Sequence, residues 1–379
     1  MNKILVVTSP RITGLNYHRQ LVPFNNLEED YDIVYVPQLS LEEIKAGYCD
    51  SFQMVSFLRT INLEGKTVEM CDSLRNLGIK IHFDIDDYWV LHSGHPQYKQ
   101  YREGKVGEQV VDALKSVDYI TTTTTYLAEK IQEINKNVYI LPNAIDTKAE
   151  QWQQKQIESK YTRFGYIAAV HHVRDVEMLH PNFVKLYDNC KDFQLLPAGF
   201  NVNILPNKSA KMNPYYHYVE QLFTDNYKKL KNKEYKDYLK CNVPDKNDTW
   251  DEPYKRLWGL DPYNYGKLYN FIDVALVPLA PYTFNTYKSE LKMIEAGFMK
   301  KACIVSNVRP YDLLINNTNC IQVQPTRNHI DWYIQIKKLI GNKERISDLG
   351  EALYESVKDK YDIKNVNVER KQLINTWLA

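Results

Sequence analysis

Lys288, Lys292 and Glu295 recur three and four residues apart in the stretch NTYKSELKMIEAGFMKKACIVSN, residues 285–307. On a helix this spacing puts them, with Met299, on one face, while Leu291, Ile294 and Phe298 form an inward apolar stripe. Two lysines in the first turns oppose the helix dipole, which favours acidic residues there. A bound anion resolves the conflict, because amide groups, dipole and two ammonium groups then converge on it. Glu295, two turns further in, is spaced to accept hydrogen bonds from hydroxyls of the same ligand. Phosphate at the helix start and ribose deeper in describe a nucleoside diphosphate. The same spacing also suits a solvated Lys/Glu face with an ordinary ion pair.

Three other stretches carry chemistry. IHFDIDDYWVLHSGHPQY holds Asp84, Asp86, Asp87, His92 and His95. Asp-x-Asp at a strand end suits a divalent metal set against a diphosphate; equally, Asp87 could cap the next helix and Asp84 could be buried and hydrogen-bonded. SPRITGLNYHRQ offers Gly14, Tyr17 and Arg19, where one glycine is a weak phosphate signal and Arg19 could pair with a surface carboxylate. VHHVRDVEML offers Arg174, whose planar fork suits phosphate better than lysine does. Its adjacent His171 and His172 lack the spaced partners of a zinc site and read as loop hydrogen-bonders.

The elements that must position these residues alternate strand and helix. Apolar strands are expected at 4–7, 32–36, 54–57, 79–84, 119–122 and 138–141, with a helix at 17–27. A second series begins at 164–169 and continues through a helix at 263–268 and strands at 271–279, 302–306 and 320–323. V/I-rich strands alternating with helices predict parallel, doubly wound sheets, with ligands at the carboxyl ends of the strands. The polar run 148–160 reads as an interdomain connection. Residues 201–256, rich in Lys, Tyr and Asn, read as a partly helical insertion, where basic and aromatic residues could also track nucleic acid or glycan.

The chain of 379 residues is long enough for two domains. A net charge of +1 provides no global field for nucleic acid or anionic membrane. Six scattered cysteines (Cys49, Cys71, Cys190, Cys241, Cys303 and Cys320) show no metal-finger spacing and read as reduced thiols of a cytoplasmic protein. Neither a signal-peptide layout nor a membrane-spanning apolar run is expected.

The run FIDVALVPLAPYTFNTYKSELKMIEAGFMKKACIVSN resembles the donor-binding signature of GT-B glycosyltransferases in the group around family 4. Asp273, Pro278, Leu279, Phe284, Asn285, Lys288, Ser289, Leu291, Lys292, Glu295 and Ala296 match it. Tyr287 stands where many members carry an earlier glutamate. The block SVDYITTTTTYLAEKIQEINKNVYILPNAID resembles the close of the family's first domain, through Asp118, Thr125, Leu127, Ala128, Pro142, Asn143 and Asp146.

The resemblance implies an α/β GT-B fold, two Rossmann-like domains facing a cleft. The first would span 1–148, joined by a C-terminal helix at 364–379 anchored by Leu373, Trp377 and Leu378; the second would span 160–363. It implies transfer of a sugar from a UDP- or GDP-sugar or similar donor to a hydroxyl of a glycan or lipid-linked acceptor, with retention and without metal or other cofactor. Gly14, Arg174, Lys288, Ser289, Glu290, Leu291, Lys292 and Glu295 would bind the donor. Asp86, Asp87, Arg174 and Lys292 would act in catalysis, and Tyr17, Arg19, His92 and His95 would contact substrate. A hydroxylated DNA base as acceptor and a non-catalytic sugar-nucleotide scaffold are the alternatives. Oligomeric state is not legible.

Overall fold

The computed structural model describes residues 1–59, 61, 65–155, 157–168, 172–180, 182–200, 202–204, 210–212, 214–224, 253–325 and 330–379. His171, Cys241 and most of the 201–256 insertion lie outside the described residues. The chain divides into two compact units: Met1–Lys148 with Tyr282–Ile294 and Lys358–Ala379, and Ala149–Pro281 with Glu295–Val357.

The first unit is built on six parallel strands, β1 (Lys3–Val7), β2 (Asp32–Val36), β3 (Met54–Leu58), β4 (Lys80–Ile85), β5 (Tyr119–Thr122) and β6 (Val138–Ile140). Their order is β2-β1-β3-β4-β5-β6. Val7 sits in register with both Val36 and Phe57. The order reverses between β1 and β3, so this sheet's topological switch point lies there. β1 is apolar from Ile4 to Val7 because both faces are covered there. Leu5 and Val7 pack with Phe57, Phe83 and Leu127, and Ile4 and Val6 pack with Phe24, Ile374 and Trp377. The last two belong to the C-terminal helix Ile363–Leu378, which Asp362 caps by accepting from the Lys364 amide. Leu373 and Leu378 pack against the same cluster. Burying each large apolar side chain there contributes roughly 1.5–3 kcal/mol.

The second unit carries β7 (Thr162–Ile167), β8 (Phe193–Phe200), a separate antiparallel pair β9 (Val202–Ile204) and β10 (Ala210–Met212), and then β11 (Leu257–Trp258), β12 (Val274–Val277), β13 (Ala302–Ser306) and β14 (Ile321–Val323). The main sheet is parallel in the order β11-β8-β7-β12-β13-β14, with its switch point between β7 and β12. Phe164, Leu195, Leu276 and Ile304 meet the helix Ile330–Leu339 through Trp332 and Ile336. Gly165 is required at its place, since a Cβ there would fall 2.3 Å from Ile272.

Four expectations are corrected. The helix expected from 17 is a helical turn at Gly14–Asn16, a π-helical turn at Tyr17–Leu21 and a short helix at Val22–Asn25. The helix expected to include Lys288 begins only at Leu291, after a separate turn at Thr283–Thr286. Residues 282–294, expected in the second domain, belong to the first unit. The polar connection after 148 contains a helical turn, Glu150–Trp152, whose Trp152 is buried edge-on to Tyr265.

Among the described residues no helix is long and apolar enough to cross a membrane, and Cys49, Cys71, Cys190, Cys303 and Cys320 are free thiols.

Candidate functional site

In the first unit the chemistry gathers at the carboxyl ends of β3 and β4, beside the switch point. β4 ends at Ile85, and Asp86 and Asp87 follow it. Arg59, directly after β3, reaches both carboxylates: its Nη2 lies 3.4 Å from Asp86 Oδ1 and 3.1 Å from Asp87 Oδ2. Its Nη1 donates to the Tyr101 hydroxyl at 3.1 Å. Lys288 Nζ lies 3.4 Å from the other oxygen of Asp87 and 4.8 Å above the Phe284 ring.

The charges of this cluster tune one another. Burial, then the adjacent Asp87 charge, push the Asp86 carboxyl up to about 6, against the opposing pull of Arg59 and Arg19. For Arg59, burial disfavours the cation, but Asp86, Tyr101 and Asp87 outweigh it and the pKa is raised.

Behind this surface the next polar layer is closed. Asp84 and Arg19 are almost fully buried and meet in a bidentate pair, Nε–Oδ1 2.8 Å and Nη2–Oδ2 2.7 Å. Arg19 Nη1 also donates to the Leu141 carbonyl at 2.8 Å. Asp84 Oδ2 accepts from Thr121 at 2.5 Å. Burial alone would raise the Asp84 pKa; Arg19 and Thr121 override it and hold it below the usual carboxylate range.

Arg19 and Tyr17, expected at the substrate, are both buried. Arg19 is consumed by an internal ion pair. Tyr17 is buried against Leu141, Ile363 and Val366, where the C-terminal helix covers it. Gly14, by contrast, is exposed, and a Cβ there would meet nothing within 4 Å.

The loop after β4 is held by rings. Tyr88 packs on Tyr287 with centroids 4.6 Å apart, His92 stacks on Tyr282 at 4.4 Å, and His95 lies 5.6 Å from Phe284. His92 and His95 also accept backbone hydrogen bonds from Gly94 and Gln97. Both histidines thus make contacts that organise the loop, and Tyr287, at the position where many members of the resembled group carry a glutamate, has an aromatic partner. Further along, Ser289 Oγ accepts from Asn143 at 2.8 Å. Glu290, expected at the donor, is buried and accepts from the Tyr361 hydroxyl at 2.6 Å. This contact fixes the carboxylate directly before the helix Leu291–Phe298. Leu291 and Lys292 open this helix, half-buried.

In the second unit the loops after β7 and β12 meet at the switch point. Asp175, buried, accepts from the Ala280 amide at 2.8 Å, and its other oxygen meets His172 Nδ1 at 2.7 Å. Leu279 N donates to Ser306 Oγ at 2.9 Å. Arg174 points outward, 49% exposed, and pairs with Glu177 at 2.9 Å, which also accepts from Tyr218 at 2.5 Å.

Glu295 is fully buried; its two oxygens accept from Tyr265 at 2.5 Å and Tyr269 at 2.7 Å. Burial, then Glu295, raise the Tyr269 pKa well above its usual value, so that hydroxyl stays a donor. Both oxygens of Glu295, the residue expected to accept from ribose, thus already accept from tyrosine hydroxyls.

A cavity of about 960 Å³ in this unit is lined by Arg163, Gln194, Leu196, Lys255, Trp258 and Phe271 among others. None of the expected site residues lines it. Among the described residues no cluster of three or more His, Cys, Asp or Glu is placed to hold a metal ion.

Comparison with known proteins gives no match to any family model and none to a curated protein sequence. Solved structures do match. A sucrose-phosphate synthase from Thermosynechococcus elongatus aligns over 99% of both chains, with a TM-score of 0.68 and 12% identity. HepE from Anabaena, solved in complex with UDP and glucose, aligns over 99% of this chain and 100% of its own, with a TM-score of 0.64 and 9% identity. A glycosyltransferase from Rickettsia africae aligns over 100% of this chain and 98% of its own, with a TM-score of 0.61 and 14% identity. The chain has the GT-B fold.

Within this GT-B chain, sequence reasoning located Asp86, Asp87 and Lys288, which the structure brings together. It missed Arg59 and Tyr101, and the tyrosines that close Glu290 and Glu295. For Arg59 a signal existed: a cation one residue past a buried strand, at a carboxyl end where GT-B sheets place ligands.

Proposed function

We propose that the protein is a glycosyltransferase that moves a sugar from a nucleoside-diphosphate sugar, UDP-sugars first, to an acceptor hydroxyl. The observation that carries this reading is the end-to-end likeness of the chain to a sucrose-phosphate synthase, to a glycosyltransferase and to HepE solved in complex with UDP-glucose. In this reading Lys288 and Lys292, with Ser289 and the first-turn amides of the helix Leu291–Phe298, contact the donor diphosphate. Arg174, on the resemblance, is assigned to donor binding as well. Asp86 and Asp87 serve the acceptor side, and exposed Gly14 lets backbone approach the donor. Catalysis is then positioning plus stabilisation of the departing diphosphate by fixed cations. Retention belongs to the same proposal on the resemblance to the family-4 group, a reaction without metal on the cations and helix dipole that would neutralise the leaving group, and a cytoplasmic location on the scattered, unpaired cysteines.

The test is thermal stabilisation by UDP, GDP, ADP, CMP and their sugar conjugates, read in the wild type and in Lys288→Ala/Lys292→Ala. A ligand at a hundred times its dissociation constant adds about 2.7 kcal/mol of stability. One nucleotide class should shift the wild type and fail to shift the variant; no shift from any nucleotide with the fold intact refutes the donor site. The ion pairs that engage Asp86 and Asp87 favour one second reading, a scaffold that binds sugar nucleotide without turning it over. Binding with no turnover across acceptors would select it.

A further inference from the structure

Arg59 leaves β3 with φ of 53°, in the left-handed region. A non-glycine residue keeps that conformation only where its surroundings impose it, commonly at functional sites. Here they do so through one side chain. The guanidinium forks between the Tyr101 hydroxyl on one side and the consecutive carboxylates Asp86 and Asp87 on the other. Asp87 is shared, its second oxygen facing Lys288. Asp86 Oδ2 has no hydrogen-bond partner among the described residues, because Arg59 takes only Oδ1. The charged and titratable groups around Asp86 are Asp87, Arg59, Arg19 and Asp84, with Tyr101 and Lys288 one contact further out.

We propose that Arg59 is the positioning residue of the acceptor site: one guanidinium holds Asp86 and Asp87 side by side at the end of β4, leaving Asp86 Oδ2 to accept a hydrogen bond from the acceptor hydroxyl while Asp87 stays with Lys288. The acceptor part rests on the glycosyltransferase reading; the coupling of Arg59 to Asp86 does not. Two adjacent carboxylates repel, and without a cation between them each turns toward its own partner. A lysine would replace the arginine only in part, since its three donors radiate from one nitrogen and lack the planar span of the guanidinium fork.

The experiment compares wild type, Arg59→Met and Arg59→Lys. With a donor identified by thermal shift, turnover is measured from pH 5 to 8. The wild type should lose activity in acid as Asp86 takes up a proton near its apparent value of about 6. In Arg59→Met a cation that favours ionised Asp86 is gone, so the acid limb moves upward and kcat falls about tenfold or more. The nucleotide thermal shift should stay as in wild type, and Arg59→Lys should fall between the two. An unchanged limb with unchanged kcat overturns the proposal, and so does loss of the nucleotide shift together with turnover. If no donor supports turnover in the wild type, the glycosyltransferase reading fails separately, and the titration of Asp86 followed by carbon NMR decides the coupling. A midpoint that rises in folded Arg59→Met upholds it; one that does not move overturns it.

Discussion

Replacing Arg19 by methionine separates a buried structural arginine from a substrate contact. Arg19 and Asp84 are 1% and 2% exposed and joined by two short hydrogen bonds. Methionine fills similar volume but leaves Asp84 charged and buried, which costs about 3–5 kcal/mol when one partner of such a pair is removed. The Leu141 carbonyl loses its charged donor as well. For a unit of this size that corresponds to a drop in Tm of roughly 10 °C.

The loss should depend on pH with a defined sign. In the wild type the folded-state pKa of Asp84 is depressed, so its contribution is present at neutral pH and fades as pH falls through the folded value. In Arg19→Met the cation is gone and burial raises that pKa, so the penalty grows as pH rises, by about 1.4 kcal/mol for each unit of upward shift. Urea denaturation followed by circular dichroism at pH 5 and pH 7 measures both effects. Arg19→Met combined with Asp84→Asn should recover much of the loss. A cost under about 1 kcal/mol, the scale of an exposed pair, with reduced substrate affinity, would refute the buried-pair account and restore Arg19 as a substrate contact.

Glu295→Gln turns one acceptor oxygen into a donor facing a tyrosine hydroxyl and should destabilise by about 1–3 kcal/mol. Nucleotide affinity of the folded variant, by calorimetry, should change less than about threefold if Glu295 is structural; loss of binding would show that ribose displaces a tyrosine. His82, buried between Ser56 and Thr121, has its pKa lowered to about 3, chiefly by burial. Because the unfolded chain binds this proton first, His82 makes stability fall by up to about 1.4 kcal/mol per pH unit between about 6.5 and 3. Asp86, with its pKa raised, opposes that trend between about 6 and 4. His82→Asn should flatten the acid slope, and Asp86→Asn should steepen it; denaturation midpoints across that range measure both.

What was legible in the chain was what local patterning determines. β1 and β13 are short apolar runs and appear as buried parallel strands. Leu373, Trp377 and Leu378 lie in one apolar cluster with Ile4 and Val6 of the first sheet and with Phe24 and Leu27. Where sequence patterning gave the wrong element, a side chain far along the chain decided the outcome. Lys288–Glu290 has helical spacing, yet Ser289 is taken by Asn143 and Glu290 by Tyr361, and the helix starts only after them. Periodicity records how often a position faces inward; it holds no record of which partner, 146 or 71 residues away, competes for it.

The same limit explains the site. Burial of Asp84 was one reading of the sequence, but nothing in the sequence of Asp84, Asp86, Asp87, Arg19 and Arg174 says which carboxylate meets which cation. The structure sorts them by depth. Asp84 lies within β4 and meets Arg19 in the interior, whereas Asp86 and Asp87 follow the strand and remain partly exposed. Two residues of difference along one strand therefore separate a carboxylate that is neutralised for folding from one whose pKa is raised and whose Oδ2 is open. The sorting depends on which cation each carboxylate meets. Arg59 meets the outer pair because it lies one residue beyond β3, in register with the end of β4 through the Leu58–Asp84 pairing. Strand order was the missing information, since adjacency of β3 and β4 beside the switch point converts two unremarkable loops into one charged site.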